Sequence, residues 1–234
     1  MIEEQDFYSN YQKVKNAIEI ACEKCSRSVN EITLLPVTKN WPVDAVNYCK
    51  NAGINIVGEN RVLEAIEKMD KVDAVEFELI GHLQRNKVKQ VVGSFMRIQT
   101  VDSLKLLERI GNFASSMKCK QRVLLQVNAG NDPAKYGVSV ENAHPLLEKA
   151  LQINSLTVDG LMTIAPYAPD DISVAQICFS KLRELRDELE VNFGVELSEL
   201  SMGMSDDLPT AISEGSTMIR VGSALFGHRQ KSEN

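Results

Sequence analysis

A chain of 234 residues, 44% hydrophobic and 25% charged, can bury one sizeable core without disulfide or metal staples and is too short for two large domains. Its longest apolar runs, such as 34–37 and 123–125, fall far short of the roughly 18 to 20 residues that cross a bilayer, and the acidic opening Ile2-Glu3-Glu4-Gln5-Asp6 lacks the basic start and apolar middle of a secretory signal. With a formal net charge of -6 arguing against a broad nucleic-acid footprint, the expectation is one domain over 1–234, cytoplasmic, away from membranes and nucleic acid.

The first long segment places Val14, Ala17, Ile18 and Ala21 at i, i+3, i+4 and i+7 among Lys and Glu, the spacing of an amphipathic helix. Short apolar runs rich in branched residues follow. They predict strands at 32–37, 54–57, 77–80, 97–101, 123–127, 156–162, 197–202 and 218–221. Between them lie helical patterns at 43–52, 61–69, 84–92, 103–116, 140–151, 172–190 and 208–213. Pro42 suits the start of its helix, and Asp102 or Ser103 could cap another.

Eight strands alternating with helices and no internal linker favour a closed parallel (β/α)8 barrel over two lobes. Little chain remains for an eighth helix, so the N-terminal helix is expected to cover that part of the barrel. An open doubly wound sheet is the alternative. A dinucleotide-binding version would want G-x-G-x-x-G after an early strand, where this chain has Thr38-Lys39-Asn40-Trp41-Pro42. The five cysteines are scattered, which suits reduced thiols. Cys22 and Cys25 form a C-x-x-C, but no second Cys or His pair lies near enough to complete a zinc or redox site.

Barrel sites are assembled at the C-terminal ends of strands, and three of those ends carry chemistry. Lys39 closely follows the first strand. A partly desolvated lysine there has a lowered pKa and can form a Schiff base with an aldehyde cofactor; a solvated surface lysine is the plain alternative. Ser201-Met202-Gly203-Met204-Ser205-Asp206-Asp207 is a strand-to-helix turn whose backbone N–H groups can face an anion such as phosphate, provided the two aspartates point elsewhere or cap the helix. Ser216 to Ser223 holds a second such turn and sets Arg220 inside an apolar strand. A buried arginine needs a partner, either a ligand or a carboxylate such as Glu59. Placed beside a pyridine nitrogen it would keep that nitrogen unprotonated and weaken the cofactor as an electron sink.

Thr38-Lys39, Gly58-Glu59-Asn60, the string from Ile80-Gly81 through Leu83-Gln84 to Asn86-Lys87, Gly160-Leu161-Met162 and the two turns just described resemble the pyridoxal phosphate homeostasis protein family, from about Glu31 to Gly227. The resemblance implies an alanine-racemase-like barrel carrying pyridoxal 5'-phosphate on Lys39 as a Schiff base, with Arg220 facing the pyridine nitrogen. It further implies that Ser205, Gly222 and Ser223, with the backbone near Met204, hold the phosphate, and that Asn60 and Met162 line the ring pocket. The family usually has threonine at Ser223, which keeps the hydroxyl, and histidine at Glu78, which leaves any role of that position open. Lys135, in a loop resembling the family's lysine-glycine loop, is a candidate second contact, with a solvated loop lysine the alternative. His82 and the basic run Arg85, Lys87, Lys89 are assigned no role.

The function the resemblance implies is a non-enzymatic, monomeric protein that holds pyridoxal phosphate and hands it on, with cofactor-dependent apo-enzymes as candidate partners, and so influences vitamin B6 and amino-acid balance. An amino-acid racemase or decarboxylase is the alternative. Related enzymes on this barrel typically add a second domain with opposing catalytic groups, and only residues 227–234 follow the last motif. A cofactor-free barrel acting through a protein partner is the third possibility.

Overall fold

The computed structural model describes residues 2–227. The expected extent of 1–234 therefore runs past the described residues at both ends.

The chain begins with α1 (Glu4–Lys24) and then alternates β1 (Thr33–Pro36), α2 (Val43–Asn51), β2 (Ile56–Glu59), α3 (Val62–Met69) and β3 (Glu76–Leu79). It continues through a 3-10 turn (Arg85–Lys87), α4 (Val88–Val91), β4 (Arg97–Val101), α5 (Leu104–Ser116), β5 (Gln121–Gln126), α6 (Val140–Leu151), β6 (Leu156–Met162) and α7 (Ile172–Phe193). Last come β7 (Glu199–Ser201), α8 (Leu208–Ser213), β8 (Met218–Val221) and α9 (Ser223–Phe226).

The eight strands are parallel and hydrogen-bonded in the order β1-β8-β7-β6-β5-β4-β3-β2. The seam between β1 and β2 is drawn together by a single bridge, Val37 with Gly58, and by Thr38 N–H donating to Gly58 O at 3.1 Å. The result is the expected (β/α)8 barrel, because parallel strands buried on both faces need a helix layer outside. Most of the core lies between strands and helices, where Val57, Leu79, Ile98, Val123, Leu125, Leu161 and Leu200 are all buried. Inside the barrel a small cluster, Leu35, Val37, Ile80 and Met218, is the apolar plug.

The N-terminal helix does cover that part of the barrel, packing against α8 and α9 on either side of β8. Phe7 stacks on Phe226 at 5.5 Å between centroids, Phe226 meets Trp41 at 5.8 Å, and Asn10 Nδ2 donates to Leu225 O at 3.1 Å. The short α9 in this contact was not expected from sequence.

Two elements depart from the sequence reading. The second strand lies two residues later than 54–57, because Ile54 N–H is used by the end of α2, donating to Cys49 O at 2.9 Å. Gly53 at φ +80 makes that six-to-one closure possible. The shift brings Gly58 and Glu59 into the strand, with Ile56 and Gly58 on the inward side and Val57 and Glu59 toward the helices. The helix expected over 84–92 is instead a 3-10 turn followed by one α-turn, with Leu83, Val88 and Val91 buried.

The five cysteines are free thiols. Cys25 Sγ bonds Ala21 O at 3.2 Å, and no group of three or more metal-ligating side chains occurs among the described residues. Nor is any described helix long and apolar enough to cross a membrane.

Candidate functional site

At the C-terminal end of the barrel a cavity of about 420 Å³ opens, within the range of small-molecule sites. Lys39, Asn60, Met162 and Arg220 line it from the ends of β1, β2, β6 and β8. Met204 and Ser205 after β7, and Gly222 and Ser223 after β8, complete it. All eight residues singled out from sequence therefore meet in one place. Sequence reasoning missed Val37, Trp41, Ile80 and Ile164, which form its apolar wall, and Asp206 at its rim. Ile80 and Ile164 border Gly81 and Thr163, so position beside a strand-end motif was the available signal.

Arg220 is only 4% exposed. Its Nη1 donates to Ser201 Oγ and its Nη2 to Thr163 O, both at 2.8 Å. Both partners are neutral, and no carboxylate pairs with it among the described residues. Glu59, the acid suggested from sequence, is elsewhere. It accepts from Thr38 Oγ1 at 2.7 Å and from Lys68 Nζ at 2.6 Å, because strand alternation puts it on the same outward face as Val57, toward α3. Burial pushes the Arg220 guanidinium down to about 10, with Asp207 the charge that opposes the shift. Arg220 is still cationic at neutral pH, and a guanidinium offers donors only.

A hydrogen-bonded chain fixes this arginine from below. Ser201 Oγ donates to Gln99 Oε1 at 2.6 Å, Gln99 Nε2 donates to Glu78 Oε2, and Arg97 grips the other oxygen of Glu78 at 2.6 and 3.0 Å. Burial disfavours the charge on Arg97, but the bonds and charge of Glu78, with Glu199 and Asp159, more than offset this and raise its pKa. The Glu78 position, left open above, is thus the acidic anchor of a polar barrel interior.

The two turns converge. Ser205 Oγ lies 3.4 Å from Ser223 Oγ and accepts from Ala224 N–H at 3.4 Å. Gly203, at φ +96, permits the first turn, since a Cβ there would meet Ala211 Cβ at 2.4 Å. The N–H of Met204 does not face the cavity as expected, because it donates to Asp207 Oδ1 at 2.5 Å. That bond also answers the concern about the paired aspartates, since Asp207 is engaged inside the turn. Burial raises the Asp207 carboxyl, against the pull of Met204 N–H and Arg220.

On the β2 side, Asn60 Oδ1 is buried and finds no partner. Gly81 passes so close that a Cβ would meet Asn60 O at 2.1 Å. Lys135 is half-buried in the β5 loop and is not part of the cavity wall. His82 pairs with Asp102 at 3.2 Å and stacks on Tyr136 at 4.0 Å, outside the cavity wall. Ser103 precedes α5 without a side-chain cap bond.

A lysine on one wall, a donor-only cation on another and paired hydroxyls at a third suit a flat, phosphorylated aldehyde with one ring acceptor. The carboxylate-free Arg220 is a donor that the ring acceptor of such a ligand would satisfy.

Comparison with known proteins agrees. The profile of the alanine racemase N-terminal domain family matches residues 9–230. The pyridoxal phosphate homeostasis protein of Aquifex aeolicus is 40% identical over 222 residues, 93% of this chain and 96% of that one, and the protein of the same name from Escherichia coli K12 is 33% identical over 239 residues, covering 97% and 99%. PipY of Synechococcus elongatus, solved with pyridoxal phosphate bound, superimposes with TM-score 0.79 at 34% identity, over 90% of this chain and 99% of its own. Alanine racemase of Clostridium difficile shares the fold, with TM-score 0.80 at 16% identity over 98% of this chain and 58% of its own.

Proposed function

The chain belongs to the pyridoxal phosphate homeostasis protein family, built on the alanine racemase N-terminal barrel, and from that premise we propose that it holds pyridoxal 5'-phosphate on Lys39 as a carrier without turnover. The observation that carries the reading is Arg220, a buried donor-only cation bonded to neutral acceptors and opening on the same cavity as Lys39.

The cofactor, when bound, supplies an aldehyde that condenses with an amine and a ring that can draw electrons from it. Lys39 provides the amine. Ser205 and Ser223, with the backbone of Gly222, hold the phosphate, and Met204 contributes as a wall. Asn60 and Met162 flank the ring. Arg220 would donate to the ring nitrogen, which would then be an acceptor and stay unprotonated, leaving the ring a weaker electron sink. That arrangement favours holding the cofactor over activating an amino acid.

The whole chain acts as one barrel domain, a monomer working in the cytoplasm with apo-enzymes as recipients. The relatives matched over almost their full length are named as homeostasis proteins and not as enzymes, which supports the carrier over a racemase or decarboxylase. Lys135 is a candidate second contact from the β5 loop.

Purified protein mixed with pyridoxal phosphate is expected to show the absorbance band of a protein-bound imine, and Lys39→Ala to lose it. A colourless wild type that does not take up the cofactor refutes the assignment. Incubation of the loaded protein with L-amino acids separates carrier from enzyme, since sustained formation of D-isomers, amines or keto acids overturns the carrier reading.

A further inference from the structure

We propose that Lys68, acting with Glu59 and Glu64, is a positioning residue that locks the backbone on both sides of Lys39 and so sets where the Lys39 amine points. The inference rests on the reading of Lys39 as the attachment point.

Lys68 lies on α3, outside the barrel wall, and is 5% exposed beside Glu59 at 0%. An ammonium has three donors. Here they go to Thr38 O at 2.8 Å, Glu59 Oε1 at 2.6 Å and Glu64 Oε1 at 2.9 Å. Each acceptor leads back to the same short segment. Thr38 is held twice, at its carbonyl by Lys68 and at its hydroxyl by Glu59, at 2.7 Å. Asn40 is held at its N–H by Glu64. Lys39 is the residue between them.

Asn40 sits at φ +57, a left-handed bend that asparagine tolerates better than most non-glycine residues. Its N–H bond to Glu64 ties that bend to the cluster. Stability alone does not call for such a device, because buried ion clusters are often matched or bettered by apolar side chains of similar volume. The second oxygen of Glu59 is even left without a partner. None of the three residues lines the cavity, so their influence on it passes through Thr38 and Asn40.

The test compares wild type, Lys68→Met, Lys68→Arg and Glu64→Ala, with pyridoxal phosphate as the probe. Borohydride trapping followed by peptide mass mapping gives the rate of attachment to Lys39. Non-covalent affinity is measured separately with Lys39→Ala as background. In Lys68→Met, attachment should slow by about tenfold or more, since misplacement near 1 Å can cost ~100-fold, and Lys68→Arg should restore part of it. Non-covalent affinity should stay within about twofold, as expected of sites without shared partners. General destabilisation would lower both quantities together.

Attachment within about twofold of wild type in folded Lys68→Met overturns the proposal. If that variant does not fold, Glu64→Ala, which keeps the Lys68 to Glu59 pair, decides by the same criterion. Hydrogen exchange at the amides of Thr38, Lys39 and Asn40 in cofactor-free protein gives an independent answer. Lost protection in the variant supports the clamp, and unchanged protection overturns it. Should wild type show no attachment to Lys39 at all, the proposed function falls, and the exchange result still judges the clamp.

Discussion

Replacing Arg220 by methionine should separate the cost of burying its charge from the purpose it serves. In the cofactor-free protein the change removes two hydrogen bonds, to Ser201 Oγ and Thr163 O. Ser201 keeps its bond to Gln99, so the main loss is an acceptor left at Thr163 O, worth about 1–3 kcal/mol. Against it stands the release of a buried cation with no contacting carboxylate, an effective penalty of several kcal/mol. The free protein should therefore melt at or above the wild-type temperature.

With cofactor the sign reverses. At a concentration about 100 times Kd the wild type gains about 2.7 kcal/mol from binding. Losing one charge-assisted hydrogen bond of about 1.5–3 kcal/mol raises Kd roughly 10- to 150-fold. The gain at the same concentration then shrinks to between about 1.4 and 0.3 kcal/mol. At about 2–4 °C per kcal/mol for a domain of this size, the cofactor-induced rise in Tm drops from ~5–11 °C to ~1–6 °C. Calorimetry of both proteins, with and without pyridoxal phosphate, reads all four values. A free variant that melts several degrees lower while keeping the full cofactor increment would refute the reasoning, since Arg220 would then be a structural residue only.

Gly81→Ala should cost about 1–3 kcal/mol, because its Cβ would collide with the backbone of Asn60; urea midpoints measure the loss, and weaker cofactor binding should accompany it as Asn60 shifts. Glu78→Ala should cost about 3 kcal/mol, at the low end for a broken buried pair, because Arg97 keeps Asp159 at 3.2 Å and Glu199 at 3.3 Å. A melting curve unchanged by Glu78→Ala would deny the anchor role. Burial raises the carboxyls of Glu59, Glu199 and Asp207, so across the window just above the ordinary carboxylate range the native state holds protons that the unfolded chain releases. Their contribution to stability is full below that window and declines as pH rises through it. Asp207→Asn keeps an acceptor for Met204 and should flatten that decline in cofactor-free protein. An identical pH slope in wild type and variant would show that Asp207 titrates normally.

Much of the architecture was legible because strand and helix periods differ, and eight alternations of branched apolar runs with amphipathic stretches leave few arrangements other than a barrel. The errors share a cause. Ile54 reads as a strand residue by type, yet its N–H closes the end of α2. Similarly, Met204 looks like a free backbone donor in a glycine turn, and Asp207 three residues on takes that donor. Both depend on which hydrogen bond wins locally, and a pattern of residue types does not contain that competition.

Sequence alone determined the fold class, the lysine and arginine at strand ends and the two glycine turns, since each follows from side-chain chemistry and short-range spacing. Only the tertiary structure decided what those groups contact. The acids that steady Arg220 and Lys39 come from strands and helices distant along the chain, as in the run from Arg220 through Ser201 and Gln99 to Glu78. Closure of the barrel brings such residues together, because parallel strands place neighbours in space that are a whole strand-helix unit apart in the chain.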